Sequence, residues 1–482
     1  MKHIFTTILA VLLLTVSNTL RAQDDVEATH IALTRLLQKH SVNADTIAKE
    51  LSKKFSKDPA MQTAIARAYY RTFQNGTARH YLNKALKTDP KHSPAYILYG
   101  DMYCGWDVDS AAVWYSKAIE ADSTFVDGYL RYATLVADKD MDKAKAKLEE
   151  LRRVKPTFDV DASIAELYNL QGDDKAAAAA FANADANRLT MNQLAKYAQN
   201  LYWTQQDVKA MEIAQVGMAR FPQNKGFDRL YFWCATRTGK YQEALKHGTV
   251  WMENTARDSI NSIDLFSMGA SHLGLGETEK AFGYFADIAT MTDYFAPQMK
   301  GQITRMVNNV VEENKASGNY AKATEVYSRY MEAYPAEDRA LQMYQLASIY
   351  RDEQESLEGE QKKEVIKVMF EIYDNIEKLY PDWENIHYVL YTHARWTYAY
   401  FDPQNEQSLA EPYYRKLYDV LAREAAPSEQ KKAMLVEACK YLASDCYFQK
   451  EDTPSARMWW TRILKYDPDD ETAKEALDKI RK

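Results

Sequence analysis

Two of the nine histidines, His387 and His393, share one predicted helix, the arrangement from which a metal site would be built. Their spacing of six turns them about 120° apart, unlike the i, i+4 pair that binds zinc in metalloproteases. Four cysteines offer the other reactive chemistry. Cys439 and Cys446 lie on one predicted helix, separated by about 10 Å along its axis, and a disulfide needs Cα atoms within about 7 Å. Cys104 and Cys234 fall in different segments, so all four read as small buried apolar side chains. The chain contains no Cys-x-x-Cys, no phosphate-cradling glycine loop and no Gly-x-Ser-x-Gly elbow. Its carboxylates are scattered along helices, where solvated surface is the default. These residues assign no catalysis, no metal and no cofactor.

The most aromatic stretch, "HYVLYTHARWTYAYF" from His387 to Phe401, raises the alternative of a ligand platform. Tyr388, Tyr391, Trp396 and Tyr398 are spread around the predicted helix, a distribution that suits burial between two neighbouring helices better than display. The composition points the same way. Tyrosine is abundant, at 34 residues, while glycine (16) and proline (13) are scarce, which favours aromatic-packed helices over a turn-rich sheet fold.

What positions these side chains is a repeat. "GLGETEKAF" begins at Gly274 and holds Gly276 five residues before Ala281; Gly172 and Ala177, Gly239 and Ala244, and Gly318 and Ala323 stand at the same offset. Self-similarity at a fixed period is the mark of stacked units. Glycine enters a left-handed turn cheaply, alanine lets two helices touch, and Phe285, four residues after Ala281, fills the space between them. Pro90, Pro156, Pro222, Pro335 and Pro468 each follow a helical run and end it.

The pattern resembles the tetratricopeptide repeat, a 34-residue helix–turn–helix family. Ala66, Tyr69, Ala78, Leu82, Ala85 and Pro90 match its motif, as do Gly100, Tyr103, Ala111, Tyr115 and Ala118, with one residue deleted in the turn. Ala165, Tyr168, Ala177, Phe181 and Ala184 form a third good copy, and Tyr447, Ala456, Trp460, Ile463 and Pro468 a C-terminal one. Weaker copies carry Ala144 and Leu148, Ala198 and Ala210, and Ala323 and Tyr327. Phe232 stands where the motif wants a small residue, Asn75-Gly76-Thr77 supplies a turn glycine, and "RDEQESLEGEQKK" (Arg351 to Lys363) is a polar insertion.

The resemblance implies an all-α fold, an α-solenoid of about eleven such units forming a right-handed superhelix, with looser repeats in the C-terminal third. A helical hairpin over 23–58 precedes the array of 59–336; looser units occupy 337–468, and a capping helix fills 469–482. The insertion at Arg351 to Lys363 is the expected bend or subdomain boundary.

Residues 1–22 read as an export signal, with Lys2 and His3 before an apolar run from Ile4 to Val16 and Ala22 at the cleavage point. No cysteine precedes Cys104, so no lipid anchor is expected, and no later segment approaches membrane length. Removing the signal discards Lys2 and Arg21 and takes the formal net charge from −7 to about −9. Acidity without a basic patch argues against nucleic acid. The expected setting is periplasmic or secreted.

In the resembling family the first helices line a concave groove. Carried onto this chain, the groove positions include Arg67, Tyr70, Arg71, Glu166, Asn169, Gln199, Tyr202, Trp203, Trp233 and Arg237. Tyr202 has an equal alternative as a packing residue. Arg67, Asp101 and Thr134 do not reproduce the family's carboxylate clamp. The implied role is a non-catalytic scaffold that grips a protein or peptide of an envelope or secretion assembly; the alternative is capture of a glycan or small ligand.

Overall fold

The computed structural model describes residues 22–334, 336 and 338–481, with the side chains of 22–25 and 481 outside that description. The signal segment ahead of Ala22 and the helix-ending Pro335 therefore lie outside the described residues. The chain forms two compact units, one ending at Thr238 and the other beginning at Gly239.

The first unit opens with α1 (Ala22–Gln38) and α2 (Ala44–Lys54), which are followed by α3 (Pro59–Arg71), α4 (Asn75–Thr88), α5 (Ser93–Tyr103) and α6 (Val108–Ala121). It continues with α7 (Val126–Ala137), α8 (Met141–Val154), α9 (Val160–Leu170), α10 (Asp174–Phe181), α11 (Met191–Trp203), α12 (Asp207–Arg220) and α13 (Gly226–Arg237). The second unit starts with α14 (Tyr241–Glu253), α15 (Ser262–Gly274), α16 (Thr278–Thr290), α17 (Ala296–Ala316) and α18 (Tyr320–Ala333). Then come α19 (Arg339–Glu353), α20 (Gly359–Leu379), α21 (Ile386–Trp396), α22 (Glu411–Leu421), α23 (Glu429–Phe448), α24 (Thr453–Tyr466) and α25 (Glu471–Arg481). Within each unit consecutive helices pack as pairs, and α25 caps α24.

The repeat's physics is visible where two helices cross. A Cβ on Gly269 would stand 2.4 Å from the Phe285 ring, and one on Gly100 would stand 2.2 Å from that of Tyr115. A small residue on the first helix thus makes room for an aromatic on the second. Ala78, Ala111, Ala177, Ala210, Ala281, Ala323 and Ala456 are all fully buried at the start of second helices. Gly276 has φ +78 and turns the chain from α15 into α16.

Several expectations change. The left-handed residue of the first turn is Phe73 (φ 60), whereas Gly76 sits inside α4. Phe73 is five residues before Ala78, so the geometry is kept without the glycine. Gln205 (φ 61) and Glu451 (φ 51) do the same ahead of Ala210 and Ala456. Tyr447 is exposed, because the buried stripe of α23 runs through Cys439, Leu442 and Cys446 and leaves the next residue outside. Cys104 is exposed, unlike the buried Cys234, Cys439 and Cys446, because it sits beyond the end of α5. The polar stretch from Arg351 to Lys363 lies within the second unit, where it finishes α19, makes one 3₁₀ turn and starts α20.

Candidate functional site

In the first unit the first helices of successive pairs contribute to one cleft of about 470 Å³. Arg131 and Thr134 of α7, Glu166 of α9 and Lys196 of α11 supply its polar groups, beside Cys104. Leu130, Leu135, Leu148, Leu167 and Leu170 supply apolar wall. Leu170 is 69% exposed, a large apolar side chain left in solvent at the cleft's edge.

Asp101 organises one end of this surface. Its carboxylate accepts from the Tyr115 hydroxyl at 2.8 Å and pairs with the Arg131 guanidinium at 3.4 Å. Its backbone carbonyl accepts from the Tyr70 hydroxyl at 2.8 Å and from the Cys104 thiol at 3.3 Å. One residue therefore ties α3, α5, α6 and α7 together. Burial, and then the neighbouring Asp101, push the Tyr115 phenol far above its ordinary range, so it stays a proton donor at any physiological pH.

The ten positions taken from the motif frame separate into distinct environments. Glu166 lines the cleft, and Tyr70 is half-buried beside it, bonded to the α5 carbonyl. Asn169 accepts from Asn200 Nδ2 at 2.7 Å, and the same amide donates to Asp174 at 2.7 Å. Asn200, 3% exposed, was not anticipated: an asparagine among apolar helix positions is the one signal that would have marked it. Gln199 and Trp203 are exposed, on the outer part of α11.

Tyr202 and Trp233 are not open groove surface. They are 6% and 5% exposed, with ring centroids 5.1 Å apart. The Arg237 guanidinium covers the Tyr202 ring at 4.0 Å, donates to the Tyr202 carbonyl at 2.7 Å and pairs with Asp207. Aromatics on neighbouring first helices have covered each other, the packing alternative for Tyr202. Trp203 lies edge-on to Tyr202 with centroids 4.9 Å apart and keeps part of its indole exposed.

Arg67 belongs to another cleft, of about 710 Å³, where α1 packs against α3. His30, His92, Glu27 and Asp58 share that lining. Burial holds both imidazoles below their ordinary titration range; for His30 the Arg67 and Arg71 charges add to the effect. Arg71 itself is exposed at the end of α3.

The histidines of the aromatic helix are core residues. His393 is 3% exposed, with ring centroids 3.9 Å from Phe370 and 3.7 Å from Tyr413, and burial pushes its pKa down to about 3. His387 is equally buried. Among the described residues no group of three or more His, Cys, Asp and Glu side chains could hold a metal ion, and no helix is long and apolar enough to cross a membrane.

No family model and no curated protein matches the chain. Among solved structures it is similar to the C-terminal part of a TPR repeat-containing protein from Cytophaga hutchinsonii, at 21% identity over 59% of this chain and 99% of that one, with a TM-score of 0.29. It is also similar to pilF of Pseudomonas aeruginosa, at 18% identity over 42% of this chain and 93% of that one, TM-score 0.32. A third is PilW, described as a type IV pilus biogenesis factor, at 15% identity over 48% of this chain and 91% of that one, TM-score 0.27. Among the described residues the chain's own alanine frame, left-handed turns and consecutively packed helix pairs are those of an all-α fold built from helix–turn–helix repeats.

Proposed function

We propose that the first unit is a non-catalytic scaffold whose α7–α9–α11 cleft holds an amphipathic segment of a protein partner. The observation that supports this most directly is the lining itself: Leu170, 69% exposed, and the half-buried Leu130 and Leu135 beside the charges of Arg131, Glu166 and Lys196. Leucine wall asks for apolar side chains, and fixed charges of both signs set register and direction. Exposed apolar surface rimmed by charge is the usual signature of a protein-interaction site. The leader-like residues 1–22 favour an exported scaffold acting in the periplasm or outside the cell, with a partner in an envelope or secretion assembly.

A peptide-display selection against the purified chain tests this reading. Enriched sequences should combine apolar residues with charged ones, and their binding should fall about tenfold or more in Leu170→Asp and Lys196→Glu. Both substitutions are at the surface and should leave helicity and melting unchanged. Enrichment that Leu170→Asp supports equally well would remove the cleft from the binding function.

A further inference from the structure

The second unit carries a cleft of a different chemistry. After Trp396 the α21 helix widens into a π turn at Thr397–Phe401, and the chain then runs without α-helix to Ala410. Asn405 (φ 55) and Ser408 (φ 53) are left-handed in that segment. Both a π turn and left-handed non-glycine residues are unfavourable features that concentrate at functional sites. Here they are firmly held. The Asp402 carboxylate accepts from the Glu406, Gln407 and Leu409 amides at 2.8, 3.1 and 3.2 Å. The fully buried Asp445 carboxylate accepts from Asn405 Nδ2 at 3.0 Å and from the Ser408 hydroxyl, and it pairs with Lys450 at 2.7 Å. A strained segment anchored by two buried carboxylates is a built feature.

This segment forms one wall of a cleft of about 570 Å³ between α21 and α23. Tyr398 and Phe448, 40% and 71% exposed, present aromatic surface to it. The exposed Gln404 and Gln449 line it too and present their carboxamides to it. Glu437 is fixed by the Tyr391 and Tyr414 hydroxyls at 2.8 and 3.2 Å and by Arg395 at 3.1 Å. The remaining cation, Lys440, is engaged with Asp470 at 2.6 Å.

We propose that this cleft is a second binding site, for a hexopyranose ring, alone or within an oligosaccharide. Its only aliphatic lining residue is Ala399, whereas the first unit's cleft has five leucines. The apolar surface here is carried by aromatic rings rather than by aliphatic side chains. The charges are already paired, so an anion gains no free cation. What the cleft offers is aromatic surface beside hydrogen-bond donors and acceptors. The C–H face of a flat pyranose stacks on the rings, while its hydroxyls both donate to and accept from the two carboxamides and the oriented Glu437 carboxylate.

Saturation-transfer NMR on the full chain, with methyl β-D-glucopyranoside, methyl β-D-galactopyranoside and cellohexaose as probes, tests the assignment. Transfer should be strongest to the axial ring protons of at least one probe. Phe448→Ala, with the aromatic most exposed and least involved in packing, should weaken binding about fivefold, and Gln404→Ala should weaken it further. Trp106→Ala, an exposed aromatic of the first unit, is the control and should change nothing. Absence of transfer to all three probes overturns the proposal, and so does transfer that Phe448→Ala and Gln404→Ala leave intact. Because display peptides and sugars are assayed separately, failure here leaves the first unit's cleft untouched.

Discussion

Phe73 is the sharpest test of what the turn requires. Its φ of 60 places an L-residue in the left-handed region, a conformation that costs about 1–2 kcal/mol for side chains with a Cβ. Glycine adopts it freely but gives up about 0.5–1 kcal/mol through the greater freedom of the unfolded chain. Phe73 is 91% exposed, so deleting its ring forfeits almost no burial. Phe73→Gly should therefore stabilise the α3–α4 pair by roughly 0.5–1 kcal/mol. The reverse experiment is equally clean. A Cβ on Gly276 would meet no atom within 4 Å, so Gly276→Ala should lose about 1 kcal/mol for backbone reasons alone. Repeat arrays open locally rather than all at once, so the readout is amide hydrogen exchange. Protection should rise in α3 and α4 for the first variant and fall in α15 and α16 for the second. A Gly276→Ala protein with unchanged protection, or a Phe73→Gly protein with reduced protection, would refute the claim that left-handedness, rather than side-chain identity, governs these turns.

Other consequences follow from burial and charge. Gly269→Leu drives a side chain into the Phe285 ring, whose Cε1 lies 2.4 Å from the Cβ position; it should cost about 1–3 kcal/mol by overpacking, seen as a lower urea midpoint for α15–α16. Asp101→Leu strands the Tyr115 hydroxyl and the Arg131 guanidinium; a loss of about 1–3 kcal/mol and weaker capture of display peptides are the expected readouts. His393 has a folded pKa lowered from 6.5 to about 3. Below the ordinary value the unfolded chain binds a proton that the folded chain refuses, so stability falls as pH drops from about 6.5 toward 3, by at most about 1.4 kcal/mol per unit. His393→Phe keeps a ring between Phe370 and Tyr413 and should flatten that part of the urea-midpoint profile; an unchanged slope would assign the pH dependence elsewhere.

How far residues alone carry the fold depends on which partner of a motif is physically replaceable. Where the first helix crosses closely the alanine at the start of the second is hard to replace, since a larger side chain would part the helices; Ala78, Ala210 and Ala456 therefore mark their units even though Phe73, Gln205 and Glu451 stand in the turns. The turn glycine can be replaced at a modest energetic cost, so a search anchored on glycine passes over those three units' geometry. The candidate site was harder to see for a related reason. A motif frame fixes which face of a helix a residue occupies, but coverage of that face depends on the neighbouring helix. Tyr202 and Trp233 sit at groove positions and bury each other, while Leu170, at the edge of the cleft, remains exposed. Arg67 leaves the set because α1, which carries no motif, packs on α3 and brings His30 to the cleft that Arg67 also lines. The second unit's cleft departs furthest from any periodic rule. It depends on a π turn and on two left-handed residues held by Asp402 and Asp445, carboxylates that in sequence look no different from the many on solvated helix faces. There the departure from the repeat, strained backbone held by buried acids, is what singles the segment out.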